Sequence, residues 1–70
     1  MYNELKEYIE QESERKFSLW AVSQDWASYK RVNPTYYVHI HNAETEETFV
    51  AHNSNMFAAA AFAIQDGKDS

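Results

Sequence analysis

Apolar and polar positions alternate most regularly between Thr35 and His52, TYYVHIHNAETEETFVAH, where two arms rich in β-branched and aromatic residues flank the polar Ala43-Glu44-Thr45-Glu46. Such arms suit a pleated, half-buried surface, and the spacing predicts a β-hairpin. The connection lacks the Asn-Gly or Asp-Gly of a tight two-residue turn, which predicts a four-residue loop. Placing Ile40 opposite Phe49 sets Val38 opposite Ala51 and gathers Tyr36, Val38, Ile40, Phe49 and Ala51 on one face. That face is the predicted core face. The other holds Tyr37, His39, His41, Thr48, Val50 and His52, and so collects all three histidines of the chain.

Helical spacing dominates on either side. From Tyr2 to about Arg15, the residues Tyr2, Leu5, Tyr8 and Ile9 form an apolar stripe, with Glu4, Glu7, Glu10 and Glu14 on much of the rest. Phe17 to Val32 reads as a second helix. Ser18 would cap it, Leu19, Val22, Trp26 and Tyr29 would be its buried stripe, and Asn33-Pro34 would end it. Two rivals remain for this segment. Lys16 to Ser23, KFSLWAVS, reads as a third strand that alternates poorly across Leu19, Trp20, Ala21 and Val22, or the two helices run together as one. After the hairpin, Asn53, Ser54 and Asn55 offer capping side chains for an apolar helix from about Asn55 to Gln65. Gly67 stands where a C-terminal cap is expected, and Asp66 to Ser70 form a frayed tail.

The sum is an α+β fold in a single domain over residues 1–70. It has two N-terminal helices, or one long one, then a β-hairpin and a C-terminal apolar helix packed on the sheet. Two strands alone are marginal in water, so helices must cover one face or more strands must extend the sheet.

Composition narrows the function classes. Seventy residues lie near the lower limit for a core that holds itself together without staples, and 16% aromatic residues give that core more area per side chain. There is no cysteine, hence no disulfide framework and no cysteine-type zinc site, which fits a cytoplasmic chain. No apolar run reaches the length of a membrane span, and the N-terminus does not read as a signal peptide. A net charge of -5 disfavours a general nucleic-acid binder, because neutralising phosphates takes a basic surface.

Several constellations carry candidate chemistry. His39, His41 and His52 share a sheet face and are the candidate metal ligands, since imidazoles two apart on a strand can hold one ion. No carboxylate is placed to orient them, so no metal or other cofactor is expected. Histidines on a solvent-facing sheet surface are most simply polar strand residues. Trp20, Trp26, Tyr29, Lys30 and Arg31 interleave rings with positive charge, as single-stranded nucleic-acid sites do, although a core stripe and a helix end explain them equally well. Glu44, Glu46 and Glu47 at the hairpin tip extend the acidic face of the first helix towards something like a row of phosphates, although a charge run is usually a solvated face. The last helix is apolar nearly all round, so it lies between layers or meets a second chain. No serine or threonine has a recognisable base partner, and the carboxylates do not converge, so an enzyme is not expected.

These observations point to a small acidic protein-binding module. Its concrete form is an inhibitor or adaptor of the phage or mobile-element type that blocks a partner protein. The expected contact residues are Trp20, Tyr37, His39, His41, Glu44, Glu46, Glu47, Val50 and His52, with exposed aromatic residues as anchors. A homodimer through the C-terminal helix or the hairpin edge is a further expectation. The alternatives are a metal-binding histidine face and a single-stranded nucleic-acid binder; neither nucleic acid nor membrane is the expected partner.

Overall fold

In the computed structural model, residues 2–25 and 34–69 are described, and the elements follow the order α1 (Asn3–Glu12), β1 (Ser18–Asp25), β2 (Thr35–Asn42), β3 (Glu47–Asn53) and α2 (Met56–Asp69). The strands form one antiparallel sheet in the order β1-β2-β3. Both helices lie against the same face of it. Helix α2 packs on β2 and β3, and α1 packs beside α2 and on β1.

The first helix is shorter than its apolar spacing predicts. Leu5 and Ile9 are buried, and Tyr2 and Tyr8 are half-buried. It stops at Glu12 because the chain leaves helical dihedrals just beyond Ser13, whose buried hydroxyl donates to the Ile9 carbonyl and accepts the Phe17 N–H at 3.2 Å. Glu14 and Arg15 follow in the left-handed region, with φ of 55° and 66°, and swing the chain back towards the sheet.

Residues 18–25 correct the second-helix expectation, because they form strand β1, and Ser18 caps nothing. Leu19 pairs with Ile40, Ala21 pairs with His39, and Trp20 stands between them as the extra residue of a bulge. Trp26, Tyr29, Lys30, Arg31 and Asn33, the remainder of that expected helix, lie outside the described residues.

The hairpin has the predicted register, with Ile40 opposite Phe49 and Val38 opposite Ala51. Residues 43–46 form the four-residue loop. Asn42 Oδ1 accepts the N–H groups of Glu44 (2.9 Å) and Thr45 (3.4 Å), and Glu46 takes a φ of 60°.

Helix α2 starts where its capping side chains predict. Asn55 Oδ1 accepts the N–H groups of Phe57 (2.8 Å) and Ala58 (3.2 Å), two donors that lack partners within the helix. It ends later than expected, for the helix runs through Gly67 to Asp69 where the sequence suggests a cap and a frayed tail. Lys68 Nζ reaches the Glu12 carbonyl at 3.3 Å and joins the last turn of α2 to the end of α1.

The core lies between the helices and the inner sheet face, and comprises Leu5, Ile9, Phe17, Val38, Ile40, Ala59, Ala60, Ala63 and Ile64. The alanines let α2 sit close on the strands, while Phe17 meets Phe49 edge to face at 5.8 Å. The covering of α2 is incomplete. Phe57 and Phe62 keep 39% and 57% of their surface exposed, with Phe57 edge-on to Tyr8 at 5.4 Å. No helix among the described residues is long and apolar enough to cross a membrane.

Candidate interaction surface

Because the pleat alternates, burying Val38 and Ile40 under the helices turns Tyr37, His39 and His41 to the opposite side of β2. Their neighbours on β3 are His52 opposite Tyr37, Val50 opposite His39 and Thr48 opposite His41. Among the described residues, neither helix touches this outer face.

The bulge in β1 leaves Trp20 unpaired and turns it and Ala21 to this same face. Trp20 leans over His41, with ring centroids 4.5 Å apart and planes inclined by 39°, and remains 63% exposed. His41 Nδ1 also lies 3.3 Å from Thr48 Oγ1. At the other end of the face, Tyr37 stacks on His52 with centroids 5.3 Å apart and planes at 28°. Between these pairs Val50 is 48% exposed. The result is an aromatic and imidazole ridge across all three strands.

The acids of the hairpin tip belong to the same end as Trp20. Ser18 and Thr48 flank His41, and the chain leaves β2 one residue later through Asn42 into the exposed Glu44, Glu46 and Glu47. The exposed Trp20 ring and the acidic hairpin loop thus share one end of the sheet, although Glu47, opposite Asn42, alternates to the side that the helices cover.

The histidines do not converge as a ligand set. His41 and His52 pair with opposite ends of the neighbouring strands, four positions apart, which is about 14 Å along a strand. Among the described residues, no three His, Cys, Asp or Glu side chains come close enough together to hold a metal ion. A surface depression of about 520 Å³ lies elsewhere, along α1, lined by Glu7, Glu10, Gln11, Glu14 and Arg15. Its rim is charged and solvated, and none of the residues expected at the contact surface reaches it.

Sequence reasoning places Trp20 among the contact residues with the histidine face and the acidic tip, but on a helix rather than on a neighbouring strand. The run Leu19-Trp20-Ala21-Val22 is the signal that joins them, since a bulge leaves two neighbouring side chains on one side. Phe62 escaped notice as a surface residue because the alanine-rich helix hides which flank is covered.

Compared with protein-family models, with curated proteins and with solved structures, the chain matches none.

Proposed function

We propose that this chain is a protein-binding module whose contact surface is the outer face of the sheet, anchored by Trp20 and Tyr37, with Glu44 and Glu46 of the hairpin loop at one end. The observation that carries this reading is the exposed Trp20 ring held over His41 at a bulge. Keeping so large an apolar ring in water forgoes burial worth about 1.5–3 kcal/mol, an arrangement that favours a partner able to desolvate it. The loop carboxylates at the same end of the sheet suit a partner with an apolar pocket and a cationic rim, and they would steer its approach. Blocking a basic groove of that partner is the concrete form of the activity, as an inhibitor or adaptor would do.

The test is capture from nuclease-treated lysate of the native host, by wild-type chain and by a Trp20→Ala/Tyr37→Ala variant with an unchanged circular dichroism spectrum. A stoichiometric protein retained by the wild type and lost by the variant is the expected result. Equal retention by both chains would remove the outer face as the contact surface.

A further inference from the structure

We propose that two copies of this chain associate edge to edge through β3, forming a continuous six-stranded antiparallel sheet around a two-fold axis at Val50. The inference is independent of the partner assigned to the outer face.

The sheet has two edges, β1 and β3, and they are unlike. An edge strand turns alternate backbone N–H and C=O groups away from its neighbour, so it invites pairing unless a bulge, a proline or a lysine blocks it. Strand β1 carries the bulge at Trp20. Strand β3, Glu47-Thr48-Phe49-Val50-Ala51-His52-Asn53, pairs with β2 without any register break and contains no proline, lysine or arginine. Its one formal charge is at its first residue. Among the described residues, the undefended edge is β3.

The sequence of β3 is compatible with its own reverse. A two-fold axis at Val50 pairs all seven residues of the strand with those of the second copy. Glu47 then faces Asn53, Thr48 faces His52, Phe49 faces Ala51, and Val50 faces itself. No carboxylate meets a carboxylate. A large ring meets a small residue on the core face, and inner and outer faces remain aligned across the junction. Shifting by one residue would set the core side of one strand against the solvent side of the other. A shift of two would leave part of each strand unpaired. The antiparallel arrangement also sends the two acidic tips to opposite ends, which limits repulsion between chains of net charge -5.

Helix α2 supplies a second, independent feature beside the same edge. Its flank facing α1 carries Phe57, whose ring meets Tyr8, and Lys68, which reaches Glu12. Phe62 is five residues beyond Phe57, about 140° further round the helix, and so lies on the flank turned away from α1. Since α1 covers β1 and α2 covers β2 and β3, that flank is on the β3 side of the molecule. The two-fold axis that joins the strands brings α2 alongside its copy and turns both Phe62 rings towards the seam. The 57% exposure of Phe62 is then a property of the single chain.

The test is sedimentation equilibrium up to millimolar protein, on wild type, Val50→Lys, Val50→Glu and an equimolar mixture of the two variants. Wild type is expected to reach twice the 8.2 kDa chain mass. Each variant alone sets like charges face to face at the axis and should associate at least about tenfold more weakly, with an unchanged circular dichroism spectrum. Mixing the variants should restore the dimer, because position 50 then faces an opposite charge. Unfolding of both variants would not restore on mixing, so Phe62→Ser serves as a second probe and should also weaken association. A wild type that stays monomeric at millimolar concentration would overturn the proposal. So would folded Val50 variants that dimerise as well as wild type, or that stay monomeric when mixed.

Discussion

Gly67 lies against the ring of Phe17 so closely that a Cβ built on it would stand 2.5 Å from Phe17 Cζ. The ring has little room to retreat, being 4% exposed and in edge contact with Phe49. Gly67→Ala gains about 1 kcal/mol of helix propensity. Overpacking a core typically costs about 1–3 kcal/mol, and a contact this short belongs at the upper end. The expected outcome is a net loss of stability, read as a lower urea midpoint with an unchanged m-value.

Ser13 is the joint between the first helix and the sheet. Its buried hydroxyl satisfies Ile9 and Phe17 together. Ser13→Ala leaves the Phe17 N–H without that acceptor and should cost about 1–3 kcal/mol. Equilibrium unfolding of the variant checks this, and a change below experimental error would deny Ser13 its structural role.

Arg15 holds a φ of 66° and bonds its N–H to the Glu10 carbonyl at 2.7 Å. A left-handed conformation costs a side-chain-bearing residue about 1–2 kcal/mol, whereas glycine adopts it freely. Greater freedom in the unfolded chain takes back part of that gain. Arg15→Gly should therefore raise the melting temperature modestly, and a scanning calorimeter would detect it.

Asn55 serves two orphan donors at the start of α2. Asn55→Ala should cost about 1 kcal/mol, while Asn55→Asp should retain most of the stability because its carboxylate accepts the same bonds. Thermal unfolding of the pair separates loss of the cap from loss of packing.

Trp20→Ala should leave stability within about 0.5 kcal/mol of wild type, since the ring is mostly in solvent. Partner capture should nevertheless fall sharply. A large loss of stability instead would mean that the ring is part of the fold rather than of a contact surface.

The hairpin was legible because its two arms alternate without interruption, and a period of two leaves one register that buries Val38, Ile40, Phe49 and Ala51 together. The start of α2 was legible for a local reason too, since Asn55 caps groups two and three residues away. At β1 the sequence favours a helix over the rival strand, which the structure contains, for an equally physical reason. A bulge turns Trp20 and its neighbour to one side, which breaks the alternation and leaves a run that resembles a buried helix. Gly67 was misread as a helix end because glycine usually marks one, while here the ring of Phe17, fifty residues earlier, requires its bare backbone.

Sequence by itself determined what depends on neighbours along the chain: the alternation of the hairpin, the cap of α2, the apolar stripe of α1 and the class of fold. Only the tertiary structure decided that both helices share the core face, where β1 joins the sheet, and that Trp20 stands over His41 at the same end as the acidic tip. Those outcomes rest on contacts between distant segments competing for the same core, and local spacing carries no record of that competition.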